Sequence, residues 1–256
     1  MTDDDGLALA KARGARWLPA RRVHSFEEAA GFVDMIGIAL LFPADRVTAP
    51  SLWEAVAGPD AVPFADGMGA AELMVWTWKD TLPEGGLAWS GKYLHQRASL
   101  LSPDLLNALY PGSGEPDDHE AFDLTPDAHR IAEALLSGPL PSSALRELVG
   151  HRTRYDRAIR QLQGLLLVTS AGTHEQRSGW PAVVLDLTCR RFDVGAGTDH
   201  DYAAGRYLTT MIEAAPADLA RTFGWSTADA RLRFDALVES GRAARTANRY
   251  RAVTSS

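Results

Sequence analysis

The chain has 256 residues, of which 46% are hydrophobic and 23% charged, with a formal net charge of −7; this is the composition of a globular protein with room for one large domain or two to three small ones. No apolar run approaches the roughly 20 residues that span a bilayer, and the acidic start MTDDDGLALAKARGARW lacks the apolar core of a secretory signal, which predicts a cytoplasmic location and no membrane partner. Cys189 is the only cysteine, so a disulfide within the chain and a multi-cysteine zinc site are excluded.

Residues 1–22 read as a loose tail, followed by an N-terminal domain over residues 23–115. Ser25-Phe26-Glu27-Glu28 reads as a helix start, with acids in the first turn where the helix dipole favours them. Phe32, Val33, Ile36 and Leu40 recur at helical spacing, and Pro43 is expected to end that helix. Ser51-Leu52-Trp53-Glu54 has the pattern of a capping box. Glu72–Lys79 is largely apolar and carries Trp76 and Trp78; Leu87–Tyr93 reads as a strand with Trp89 and Tyr93; Ser102-Pro103-Asp104 opens a short helix to Leu109. Pro111–Asp118 is polar and rich in Pro and Gly, which marks a linker and a domain boundary.

Two further domains, residues 120–192 and 200–256, repeat one order: helix, short helix, Arg-bearing helix, hairpin. In the first, Thr125-Pro126 is an N-cap with Pro at the first helical position. Ala144–Val149 follows as a short helix and His151–Leu162 as the third. Leu165–Thr169 and Ala182–Leu187 read as hairpin strands around a polar tip at Gly172–Gly179. In the second, Ala203–Ala214, Pro216–Phe223 and Ser226–Ser240 are the helices, with Leu232, Leu237 and Val238 as core; Arg242–Arg245 and Tyr250–Val253 flank a turn at Asn248. This is the order of a winged helix-turn-helix, whose third helix enters a DNA groove while the hairpin touches the backbone. The predicted fold class is therefore α+β, mostly α: tandem winged helix-turn-helix units with small β-hairpin wings.

Charge is segregated along the chain. Ser102–Leu136 carries eight acids and one base, whereas Ser143–Leu165 has five Arg against two acids and Ala203–Ala252 eight Arg against five. Local charge sets the field at a DNA surface. Lysines number only three, and Arg suits bidentate phosphate and guanine contacts; a GC-rich coding sequence explains the Arg bias equally well. At 3.6 residues per turn, Arg154, Arg157, Arg160 and Gln161 fall opposite the apolar Tyr155, Ile159 and Leu162. The candidate DNA contacts are Arg154, Arg157, Gln161 and Arg177 in the first unit and Arg231, Arg245 and Arg249 in the second, with double-stranded DNA as partner. Such charged faces are also found simply solvated, and winged helices also dock proteins.

Three stretches resemble AlkZ/YcaQ-type DNA glycosylases, in particular the shorter AlkZ-related proteins. They are Phe32–Phe42, Ser90-Gly91-Lys92-Tyr93-Leu94-His95-Gln96-Arg97-Ala98-Ser99-Leu100-Leu101, and Ile159–Val168 followed by Val184–Thr188. The resemblance implies tandem winged helices around a DNA-sized channel and excision of alkylated or crosslinked bases by a Gln-x-Gln or Gln-x-Asp motif in the N-terminal half. The matched segment around Met35–Ala39 holds no glutamine. Gln161 and Gln163 have the spacing but lie on a later third helix.

Excision needs a group that activates water or stabilises the sugar cation, and a place for the base. Asp34, in the matched segment, and His95, carried over from the family histidine, are the catalytic candidates; the first also reads as an exposed helix acid and the second as a structural histidine beside aromatics. Asp80 follows Trp76-Thr77-Trp78-Lys79, a cluster able to stack a base, although such aromatics more often form core. His119, His129, His151, His174 and His200 show no metal-ligand spacing, and no phosphate loop, nucleophile elbow or dinucleotide fingerprint is present, so neither metal nor cofactor is expected. Three readings follow: a DNA-damage-recognition protein without the excision step, a glycosylase using other residues, and a winged-helix regulator without lesion specificity.

Overall fold

The computed structural model describes residues 3–176 and 180–253. The first helix, α1 (Asp3–Trp17), stands where a tail is expected. Leu7-Ala8-Leu9-Ala10-Lys11-Ala12-Arg13 is a run of strong helix formers, and tertiary bonds hold the helix. Arg13 donates to the carbonyls of Met211 and Glu213 at 3.1 and 3.0 Å, and the Trp17 indole N–H donates to the Thr210 carbonyl at 2.6 Å.

The rest of the chain runs through one motif three times, where two copies are expected. The first copy is α2 (Phe26–Ile36), β1 (Ile38–Leu40), α3 (Leu52–Ala57), α4 (Ala70–Glu84), β2 (Trp89–Lys92) and β3 (Ala98–Leu101). Helix α5 (Pro103–Leu109) leads to the second: α6 (Pro126–Leu136), β4 (Leu140–Pro141), α7 (Ser142–Val149), α8 (Arg152–Gly164), β5 (Val168–His174) and β6 (Ala182–Leu187). After the single turn α9 (Thr188–Arg191) comes the third: α10 (His200–Met211), β7 (Glu213–Ala214), α11 (Pro216–Phe223), α12 (Thr227–Glu239), β8 (Ala243–Thr246) and β9 (Arg249–Ala252). Each copy reads helix, strand, helix, helix, strand, strand, and each forms an antiparallel three-stranded sheet whose central strand is the last in sequence: β1-β3-β2, β4-β6-β5 and β7-β9-β8.

Local chemistry sets most of the helix ends. Ser25 accepts from the Glu28 N–H and Glu28 reaches back to the Ser25 N–H, a complete capping box. Ser51, Ser102, Thr125 and Ser226 cap α3, α5, α6 and α12 through their hydroxyls. Helix α2 ends at Ile36, before Pro43, because Gly37 takes φ 82° and turns the chain into β1.

Leu40 therefore belongs to a strand rather than to the expected helix. Alternate residues of a strand point to opposite faces. Ile38 and Leu40 enter one core together with Trp89 and Leu101, while Ala39 and Leu41 enter another with Phe32, Trp53 and Val75. Strand β1 is thus buried on both faces, which is why Ile38-Ala39-Leu40-Leu41-Phe42 is an unbroken apolar run.

The larger core continues from Ile38 through Leu135, Leu162 and Phe234 to Tyr250 and crosses the expected boundary near residue 115. The polar segment at that boundary is ordered around Asp118, whose carboxylate accepts from the Ser113 N–H and hydroxyl, both at 2.7 Å, the Tyr110 hydroxyl at 2.8 Å and the Gly114 N–H at 2.9 Å. In the third copy Leu237 is buried and Val238 partly so. Leu232 is 58% exposed, and Ala230 and Phe234 fill the core in its place.

Candidate nucleic-acid interface

The three copies meet at an open cleft of about 740 Å³. The first copy contributes Lys92, Tyr93, His95 and Gln96, the second Arg157, Arg160, Gln161 and Gly164 from α8, and the third Arg221–Gly224 from the end of α11. Lys92, Arg157, Arg160 and Arg221 are exposed, so four permanent cations face a concave surface in a chain of net charge −7. Concave surfaces of one sign focus the field on a ligand.

The wall beside His95 has an unusual backbone. His95 and Gln96 take φ of 50° and 59° in succession. The left-handed region is costly for residues with a Cβ. Short-range bonds hold the turn: Gln96 N–H to the Tyr93 carbonyl at 3.2 Å, Arg97 N–H to the Leu94 carbonyl at 2.9 Å, and Leu94 N–H to the Ser99 hydroxyl at 2.9 Å. The His95 pKa lies below the ordinary value, through burial first and the Arg221 charge second, with Asp218 opposing. Its imidazole is therefore neutral at neutral pH. His95 also borders a second, smaller cavity with Arg13, Arg46, Asp218 and Arg249.

The predicted α8 face divides in two. Arg157 and Arg160 line the cleft. Arg154 instead makes a bidentate pair with Asp127, at 2.7 and 2.5 Å. Gln161 lines the cleft but its amide is engaged: Oε1 accepts from the Thr125 N–H and hydroxyl at 3.0 and 2.9 Å, and Nε2 donates to the Asp123 carbonyl at 3.1 Å. Two of the three α8 side chains expected to contact DNA, Arg154 and Gln161, thus fasten α8 to the start of α6. Arg177 lies outside the described residues.

In the third copy, Arg231 is exposed on α12. Arg245 pairs with Asp235 at 3.5 Å and lies over the Tyr250 ring, and Arg249 pairs with Glu213 at 2.5 Å. None of these three lines the cleft, whereas Arg221, absent from the expectation, does. Asp34 is exposed on α2, where its backbone carbonyl accepts from Arg206; it borders neither the cleft nor the cavity beside His95. Of the two catalytic candidates, only His95 stands at the cleft.

Lys92 and Arg221 were missed for separate reasons. Lys92 is a lone lysine in a strand, and Arg221 sits at the end of a short second helix, so neither belongs to a charged stripe. The structure also gathers a group that the spacing hid. His119, His129 and Glu133 bring one ligand atom each within 4.8 Å of one another, with His119 Nε2 at 3.1 Å from Glu133 Oε1. His119 lies on the turn before α6, away from the i, i+4 pair His129 and Glu133. Side chains of this kind hold zinc in other proteins.

Fold and cleft together define an α+β protein of three repeated helix–sheet units around a cationic groove. The family model described as "AlkZ related" matches residues 23–210, and the chain belongs to that family. Among solved structures, Streptomyces sahachiroi DNA glycosylase AlkZ is similar in fold, with a TM-score of 0.50 and 17% identity over 88% of this chain. The match covers 63% of the AlkZ chain, so the present chain accounts for less than two thirds of it. No curated protein matches the chain by sequence.

Proposed function

We propose that this protein binds double-stranded DNA in the cleft between α8, α11 and the His95 turn, and that it recognises alkylated or crosslinked DNA without excising the base. The observation that carries this reading is the convergence of Lys92, Arg157, Arg160 and Arg221, from all three units, on one concave surface. The units are winged helices in this reading, but the third helices serve unequally. Helix α8 supplies cations to the cleft, while α4 packs against β5 of the next unit, with the Ser170 hydroxyl donating to the Lys79 carbonyl at 3.0 Å. The absence of a glutamine in Met35–Ala39 supports binding over excision.

The test is affinity for lesion-bearing and intact duplexes across a salt series. Each phosphate contact contributes about −0.9 to the slope of log K against log salt. The expected result is a steep slope with preference for the lesion. Equal affinity for both duplexes points to a regulator without lesion specificity, and the absence of salt-dependent binding refutes the DNA reading.

One observation favours excision as the second reading: His95 is neutral and stands at the cleft, as a general base must. Release of base from alkylated duplex that is lost in His95→Ala and kept in Asp34→Asn would establish it.

A further inference from the structure

The turn Asp118–Ala121, which follows the polar segment at the expected domain boundary, meets α6 through His119. The His119 side chain is 1% exposed. Its Nε2 lies 3.1 Å from Glu133 Oε1, and its ring meets that of His129 edge-on with 5.1 Å between centroids. The other ring nitrogen, Nδ1, is buried with no hydrogen-bond partner among the described residues. A buried histidine kept for structure alone finds partners for both nitrogens; this one has a partner for only one.

Ligand chemistry accounts for the grouping better than a hydrogen bond does. His129 and Glu133 stand one turn apart on one face of α6, both exposed. With His119 they bring three ligand atoms within 4.8 Å of one another. Zinc holds its ligands about 2.0–2.2 Å away in a tetrahedron, which sets neighbouring ligand atoms roughly 3.3–3.6 Å apart. The His119–Glu133 separation of 3.1 Å is close to this, and the exposed His129 closes the remaining gap by turning its ring. Two imidazoles and one carboxylate suit a borderline-soft ion, whereas magnesium and calcium take oxygen ligands. The segment from Ser102 to Leu136 carries eight acids against one base, a field that favours a cation.

The buried ligand is also fixed in advance. Asp118, the residue before it, is held by Ser113, Tyr110 and Gly114, and the Phe122 N–H donates to the His119 carbonyl at 3.4 Å.

We propose that His119, His129 and Glu133 bind one zinc ion that clasps the 118–121 turn to α6, with water in the fourth position. Neither the cleft nor the cavity beside His95 is lined by these residues, so the ion is a clasp and not a reagent. It acts on the helix to which Arg154 and Gln161 fasten α8. The site stands whether or not the cleft binds DNA.

The experiment titrates zinc into the full chain, free of any tag and stripped with a chelator, and follows heat, Tm and hydrogen exchange. One zinc per chain is expected, and zinc at about one hundred times its Kd raises Tm by roughly 5–10 °C. Exchange slows in residues 113–136. His129→Ala and Glu133→Gln change exposed helix positions and keep the fold. Each weakens zinc binding by more than about a hundredfold, beyond the cost of disturbing an outer-shell partner. His119→Gln abolishes binding, and the two exposed variants decide the matter if it fails to fold. Magnesium at the same concentration leaves Tm unchanged. Zinc bound equally by the parent and both exposed variants, or bound without slower exchange in residues 113–136, would place the ion elsewhere and overturn the proposal. So would a parent that takes up no zinc at micromolar concentration, or a magnesium effect equal to that of zinc.

Discussion

Gln161 and Arg157 lie one turn apart on α8, and bonding separates their roles. Gln161 accepts from the Thr125 N–H and hydroxyl, so Gln161→Ala strips the start of α6 of a partner. The expected loss is about 1 kcal/mol, a fall in Tm of roughly 2–4 °C by calorimetry, with an unchanged salt slope. Arg157→Ala and Arg221→Ala are expected to do the reverse: each lowers the salt slope by about 1 and weakens DNA binding with little effect on Tm. Asp118 gives a pH signature. Burial alone would raise its pKa, but hydrogen bonds from Ser113, Tyr110 and Gly114 outweigh that and set it below the ordinary carboxylate value. A folded-state pKa below the unfolded one contributes stability above the unfolded value and loses it as pH falls through the folded one. Asp118→Asn should thus be less stable than the parent by a constant amount above about pH 4, with the gap closing below it; denaturation midpoints over pH 2–7, on the order of six points, check this. The sequence makes the charge of the α8 face visible. It does not show which members are already engaged, because Asp127, Asp123 and Thr125 belong to a different helix start and are brought in only by packing.

Helix ends were the most legible elements. The caps at Ser25, Ser51, Ser102, Thr125 and Ser226 form at the residues where Ser or Thr precedes an apolar-periodic stretch, since capping is local chemistry. Strand β1 was hidden because a strand buried on both faces shows no alternation, and Phe32-Val33-Ile36-Leu40 happens to fit a helix. With β1 unrecognised, the first unit lost its sheet and its likeness to the other two. The long segment between α3 (Leu52–Ala57) and α4 (Ala70–Glu84) stretched its spacing further. Helix α1 was missed for the opposite reason: it has helix-forming residues but no clear apolar stripe, and its anchor lies 193 residues away. Trp17→Ala is expected to cost about 2–3 kcal/mol through lost packing and the bond to Thr210. Hydrogen exchange should then rise in α10 as well as in α1; a change confined to residues 3–17 would show that the helix is merely draped on the surface.

At the scale of the whole molecule, the units are repeats in topology but one body in packing. The core that runs from Ile38 to Tyr250 contains residues of all three, and Trp89 of the first donates to the Thr188 hydroxyl at 3.1 Å, 99 residues on. A single cooperative transition is expected, with far-ultraviolet dichroism and tryptophan fluorescence superimposing; two resolved transitions would show that the units fold alone. The cleft depends on this unity, since its cations come from three separate copies of the motif.

The bond from Trp17 to Thr210 also sets a clock on biosynthesis. At about 5–20 residues per second, the 193 residues between them take roughly 10–40 s to emerge from the ribosome. For that interval the first helix has its contacts with the first unit, such as Arg16 to the Met35 carbonyl, but lacks its partners in the third, and the indole N–H has no acceptor there. The third unit is the one that ends the wait.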